Sequence, residues 1–131
     1  HLMIATVTGI GPFVSMLRSL TRGGAPGHRF VVVHGASFHD ELAFREELEA
    51  LSAAYPEQVR FVPTVSRPED PRNAGWSGET GRVHEVAERL APALGLEPAS
   101  TLVYACGHPG MVDAAQAAFG ARGFPVKTES Y

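Results

Sequence analysis

The sequence predicts a three-layer α/β domain, a five-stranded parallel sheet with helices on both faces. Three observations predict it. Short apolar runs alternate with amphipathic segments along the chain. Two of those runs end in glycine-rich turns that lead into helices, Thr8-Gly9-Ile10-Gly11-Pro12 and Cys106-Gly107-His108-Pro109-Gly110. The length, 131 residues, fits one domain with one core. Parallel strands need crossovers, and helices supply them.

Residues 2–6 form an apolar run of buried-strand length. After the first glycine turn, Pro12 suits the first position of a helix, where its missing N–H is not needed. Phe13, Met16, Leu17 and Leu20 follow at helical spacing. Gly23-Gly24 stops that helix and Ala25-Pro26-Gly27 continues the loop. Residues 29–34 contain Phe-Val-Val-Val, the continuous apolar pattern of a strand covered on both faces. Phe38-His39-Asp40 leads into a second helix with Asp40 as its expected cap. Phe44, Leu48 and Leu51 line its inner face, with Arg45, Glu46, Glu47 and Glu49 toward water.

Residues 59–65 make a third strand. Residues 66–81 read as a long polar loop rich in proline, glycine and asparagine, a length that usually serves function. A third helix covers 83–94, with Val83, Val86, Ala87 and Leu90 inward. A fourth strand covers 101–105. The helix after the second glycine turn runs to about Arg122, with Met111, Ala115, Ala118 and Phe119 inward, and 126–128 form a short last strand.

Composition narrows the function classes. The net charge of −3 gives no basic surface for nucleic acid or anionic lipid. No apolar run approaches the ~20 residues that cross a bilayer, and no signal peptide is visible. The single cysteine, Cys106, rules out a disulfide framework and a cysteine-rich zinc site. The six histidines show no metal-ligand spacing, so no metal is expected. These features suit the cytoplasm. The chain opens His1-Leu2-Met3 and is apolar at once, which reads as a cut at a domain boundary.

Parallel α/β sheets bind ligands beyond the carboxyl ends of their strands. Four segments fall at that edge: residues 7–12, 35–39, 66–82 and 106–110. In the first turn, glycines permit close backbone approach, and the free N–H groups of a helix start favour a phosphate. The strict G-x-G-x-x-G fingerprint is absent, because Val14 stands at the third glycine position. Simple turn geometry explains such glycines equally well. Two such turns on one edge can, however, hold the two ends of an extended ligand such as a dinucleotide. Ser66, Arg67 and Arg82 add a hydroxyl and two guanidinium groups suited to a phosphate monoester. Each arginine alone reads equally well as a solvated loop residue. Cys106 alone reads first as a small buried hydrophobe.

Together these pieces resemble the NADP-binding domain of the ferredoxin–NADP reductase family, in its bacterial form. The carrying residues run from Ala5-Thr6-Val7-Thr8-Gly9-Ile10-Gly11-Pro12-Phe13 through Ser66-Arg67-Pro68 and Thr80-Gly81-Arg82. They continue with Cys106-Gly107-His108-Pro109-Gly110-Met111-Val112 and end at Glu129-Ser130-Tyr131. Each motif is weak, but five in the family's order over nearly the whole chain are specific. The bacterial likeness lies in Asp40-Glu41-Leu42-Ala43-Phe44-Arg45-Glu46-Glu47-Leu48.

The resemblance implies roles. Thr8, Gly9, Ile10, Gly11 and Pro12 would hold the pyrophosphate and approach the nicotinamide. Cys106 and Gly107 would lie beside the nicotinamide during hydride transfer, with Pro109 shaping that turn and Met111 flanking the pocket. Ser66, Arg67 and Arg82 would grip the 2′-phosphate that separates NADP from NAD. Ser37 stands in the same phosphate region, where several bacterial members have a further arginine. Val7 stands where the family usually has glycine. Glu129 would lie near the flavin for proton management or partner docking, and Tyr131 would stack on the flavin ring.

The implied cofactors are therefore NADP, with NAD as the alternative, and FAD in the full-length protein. The family's FAD-binding β-barrel of roughly a hundred residues has no counterpart in this sequence. Residues 1–131 thus read as one NAD(P)-binding domain, inactive alone. The expected electron partner is ferredoxin or flavodoxin. A reductase component of an oxygenase and a flavohaemoprotein reductase are the near alternatives. A non-catalytic nucleotide-binding regulatory domain is the distant one, disfavoured by Cys106 and the terminal Glu129-Ser130-Tyr131.

Overall fold

The computed structural model describes residues 1–23 and 27–130, the side chains of Leu20, Thr21 and Gly23 excepted. The loop predicted around Gly24, Ala25 and Pro26, the inward face predicted for Leu20, and Tyr131 lie outside the described residues.

The elements are β1 (Leu2–Thr6), α1 (Gly11–Gly23), β2 (Phe30–Ala36), α2 (Arg45–Ala54), β3 (Val59–Val65), β4 (Glu79–Thr80), α3 (Val83–Ala93), β5 (Val103–Gly107), α4 (Pro109–Ala121) and β6 (Val126–Ser130). The strands form one sheet in the order β4-β3-β2-β1-β5-β6. Every described ladder is parallel.

Period-two alternation decides what each face buries. Leu2, Ile4, Val31, Val33, Val103 and Ala105 point to the layer of α3 and α4, where they meet Val86, Ala87, Met111, Ala115 and Phe119. Met3, Ala5, Phe30, Val32 and Cys106 point the other way, onto Phe13, Val14 and Leu17 of α1 and Leu48 of α2. Both faces of the central strands are covered, which is why β2 is apolar almost without a break.

The sheet has six strands, not the five expected. The addition is β4, inside the segment read as loop. Two residues, Glu79 and Thr80, carry no hydrophobic period, so nothing in the sequence marks them. They pair with Thr64 and Val65 because the loop is folded back on β3. Trp76 Nε1 donates to the Glu79 carbonyl at 2.8 Å, Gly81 N donates to the Val65 carbonyl at 2.9 Å, and Thr64 Oγ1 donates to the Gly81 carbonyl at 2.9 Å.

The second helix also differs from expectation. It starts at Arg45, and Asp40 does not cap it. Asp40 lies in a separate 3-10 turn, His39–Glu41, and pairs with Arg72 Nη2 at 3.0 Å. Phe44 takes a left-handed conformation at the helix start and is 46% exposed. Leu42, before the helix, is buried instead. The strand expected over 101–105 is β5, shifted two residues to Val103–Gly107, so Cys106 and Gly107 belong to the ladder and not to the turn.

Candidate functional site

The chain order reverses beside β1. β1 to β4 step outward on one side, and α3 carries the chain back so that β5 pairs on the other side of β1. Loops leaving β1 and β5 at such a point must diverge and open a crevice. A cavity of about 770 Å³ lies there. It is lined by the end of β1 with Val7 and Thr8, the end of β2 through Ser37, Ser66 after β3, the start of α3, and the start of α4 with Met111.

The floor between the two turns is held by close backbone packing. A Cβ on Gly9 would collide with the Cys106 carbonyl, so only glycine lets the first turn sit against β5. Gly107 has φ of +140°, and a Cβ there would collide with Thr6 Oγ1. That same hydroxyl oxygen accepts the His108 N–H at 2.9 Å. Thr6 thus joins the two glycine turns into one unit. Gly11, at the start of α1, has no atom within 4 Å of the position a Cβ would take, so space above this helix end is open. At α4, His108 Nδ1 accepts the Gly110 N–H at 3.0 Å, which satisfies one of the four unpaired amides of that helix start.

The rim on the β3 side is organised by Asn73. This buried side chain donates to the Ser37 carbonyl at 2.9 Å and the Arg67 carbonyl at 2.8 Å, and accepts the His39 N–H at 2.8 Å. It ties the segment after β2 to the long loop, bringing residues 37 and 67 together. Arg82 is exposed at the cavity rim, just before α3. Arg67 lies over the Phe38 ring at 5.8 Å, outside the cavity lining, and Arg72 covers the same ring at 4.2 Å. Arg18, Arg45, Arg72 and Arg89 each hold a carboxylate. Among the described residues, Arg67 and Arg82 hold none.

Thr8, Ser37, Ser66, Arg82 and Met111 therefore line one cavity, as a shared role requires. Gly9 and Ile10 lie beneath it, buried under the first turn, while Gly11 and Pro12 begin α1. Pro109 is the exposed first residue of α4. Cys106 points into the α1 face of the core, 4% exposed, away from the layer that carries Met111. Its register partner on β6 is Glu129. Burial pushes the Cys106 thiol above its ordinary pKa, and the Glu129 carboxylate adds to this. At neutral pH it is a thiol, not a nucleophilic thiolate. Glu129 itself is exposed on the edge strand.

Sequence reasoning missed Thr6, Asn73, His84, His108 and His34. His84 lines the cavity beside Arg82. His34 is fully buried on β2, and its Nε2 lies 2.7 Å from the Val7 carbonyl. A histidine inside the run Val-Val-Val-His was the one available signal, since a polar residue in a two-sided buried strand needs a partner.

The arrangement defines a class: a doubly wound α/β domain with a cavity at a topological switch point, faced by two glycine turns and two helix starts. Within that class, this chain belongs to the oxidoreductase NAD-binding domain family, whose model matches residues 3–117. It is 38% identical over 115 residues to ferredoxin–NADP reductase B of Sorangium cellulosum, covering 85% of this chain and 44% of that protein. It is 30% identical over 108 residues to NADH-cytochrome b5 reductase 2 of Scheffersomyces stipitis, covering 82% and 34%. A crystal structure of a ferredoxin NADP+ reductase from Neisseria gonorrhoeae with bound FAD and NADP superposes with a TM-score of 0.75 at 28% identity, covering 98% of this chain and 55% of that one. The chain thus spans less than half the length of these curated relatives. No helix among the described residues is long and apolar enough to cross a membrane.

Proposed function

We propose that this chain is the NADP(H)-binding module of a flavin-dependent oxidoreductase of the ferredoxin–NADP reductase type, acting in the cytoplasm. The observation that carries the reading is the cavity at the switch point, with Val7, Thr8 and the start of α4 on one side and Ser66 and Arg82 on the other. Its volume suits a nucleotide-sized ligand. The residues fit a dinucleotide chemically. The open space at Gly11 leaves room for pyrophosphate at the start of α1, and Arg82 has a guanidinium with no carboxylate competing for it. Ser66 adds a hydroxyl donor. Ser37 offers no further cation, so discrimination for the 2′-phosphate falls on Arg82 and on Arg67 once it leaves Phe38.

We assign Cys106 and Gly107 to the floor beneath the nicotinamide through their backbone, packed on Gly9 and Thr6, because the Cys106 thiol turns into the α1 face of the core. Glu129 on the edge strand would lie toward the flavin-binding barrel that we assign to another part of the same protein, and Tyr131 is assigned to stack on the flavin ring. Bound flavin supplies the acceptance of a hydride and its release as single electrons. Ferredoxin or flavodoxin receives them. The cytochrome b5 reductase among the relatives marks the class of alternative acceptor.

The test is calorimetric. Adenosine 2′,5′-bisphosphate binds the chain about tenfold more tightly than AMP, and Arg67→Ala with Arg82→Ala erases the difference. Equal binding to the unaltered chain would overturn the NADP assignment in favour of NAD. Robust NADPH-dependent dye reduction by this chain with added FAD would overturn its reading as a module.

A further inference from the structure

The first turn carries two unfavourable features within one hydrogen bond of each other. Val7, the residue that leaves β1 and begins the 3-10 turn Val7–Ile10, has φ of +43°. A β-branched side chain is rarely found in that region, because its Cβ substituents crowd the backbone. Thr6 precedes it with no side-chain cap. The second feature is His34, fully buried and held neutral, its pKa lowered to about 4 by burial. The Val7 carbonyl can only accept, so Nε2 must carry the proton and Nδ1 must be an acceptor. Nδ1 is buried with no hydrogen-bond partner among the described residues. A buried imidazole with one ring nitrogen unsatisfied is costly in a strand where Val or Ile fits. Paired unfavourable features of this kind persist where the conformation they enforce is used.

We propose that His34 is a positioning residue: its Nε2–H holds the Val7 carbonyl and so locks the Val7–Ile10 turn in the conformation that receives the dinucleotide. The hydrogen bond comes from β2, a rigid central strand, and reaches the one residue of the turn whose backbone is strained. Thr8 at the cavity mouth and the start of α1 then inherit a fixed position. Glycine at position 7 would take this backbone without strain, so a chain with glycine there would not depend on the histidine. Val7 and His34 form a unit in which each explains the other. The proposal rests on the reading of the cavity as a dinucleotide site.

The experiment is a double-mutant cycle on the 131-residue chain with NADP+ as the probe. His34→Leu weakens binding about tenfold, while in a Val7→Gly background the same change costs less than about threefold. His34→Gln, which keeps an N–H donor and the polar volume, stays near the unaltered chain. Amide hydrogen exchange without nucleotide gives the second readout: His34→Leu speeds exchange of Gly9 and Ile10 but not of the β1–β5 ladder. A purely packing role for His34 would be indifferent to residue 7. Equal cost in both backgrounds, equal damage by Gln and Leu, or unchanged turn exchange would overturn the proposal. If the unaltered chain binds no NADP+, the dinucleotide reading fails, and the exchange measurement alone decides the role of His34.

Discussion

The burial of His34 makes this domain acid-sensitive in a pH window that can be worked from the structure. In the unfolded chain the imidazole titrates near its ordinary 6.5; in the folded chain burial lowers this to about 4, opposed only in part by the bond to Val7. Below pH 6.5 the unfolded state therefore takes up a proton that the folded state refuses. Stability falls as pH drops through this interval and the loss levels off below about 4. At about 1.4 kcal/mol per pH unit, the full interval is worth about 3 kcal/mol, a large share of what a domain of this size has. Urea unfolding followed by circular dichroism at pH 7.5 and pH 4.5 measures it. The unaltered chain should lose about 2.5 kcal/mol more than His34→Gln between these conditions. Asp40 and Glu47, held below their ordinary values by Arg72 and Arg18, are present in both proteins and cancel in the difference. Equal losses would refute the reasoning, since they would mean that the histidine charges as readily in the folded protein as outside it.

Three further outcomes follow from the same geometry. Gly107→Ala should cost about 3 kcal/mol or more in urea unfolding, because it adds a Cβ against Thr6 at a φ that side chains avoid. Gly11→Ala, where nothing lies within reach, should cost less than about 1 kcal/mol, and equal costs would contradict the packing described. Cys106, buried with its thiol pKa raised, should react with iodoacetamide at pH 8 much more slowly in the folded chain than in urea, as mass spectrometry would read; a fast folded-state reaction would place it at the surface. Asn73→Leu should leave the Ser37 carbonyl and the His39 N–H unpaired, the Arg67 carbonyl keeping the Asp70 N–H, and destabilise the chain by about 2–4 kcal/mol, with the largest chemical-shift changes at Ser37, His39 and Arg67.

How much of this was legible in the sequence depends on the kind of residue. The strands that carry an apolar period were readable because burial on both faces demands it: Leu2–Thr6 and Val59–Val65 stand where the pattern puts them. β4 was not, because its two residues pair through the backbone alone, and backbone pairing leaves no mark on side-chain identity. The second helix shifted because Asp40, a good cap by type, meets Arg72 from a distant loop. Among site residues, Thr8, Ser37, Ser66, Arg82 and Met111 could be named from turn chemistry and resemblance, and they share one cavity. Thr6 and Asn73 could not, since each acts on a backbone group brought near by the fold and neither differs by type from an ordinary strand or loop residue; His34 stood out in an apolar strand, but the Val7 carbonyl it meets was not legible.

The sequence by itself determined the class of fold, the edge of the sheet where the cavity lies and the family to which the chain belongs. Local patterning and glycine placement are properties of neighbouring residues, and they survive in one dimension. Only the tertiary structure decided which glycines serve packing and which leave room for a ligand. Gly9 and Gly107 touch β5 and β1, whereas Gly11 faces open space. It also decided that Cys106 turns into the α1 face of the core, and that Val7 is held from β2 by His34. The physical reason is the same in each case: a collision, a face of the sheet or a hydrogen bond across strands exists only once residues distant in the chain are brought within a few ångströms.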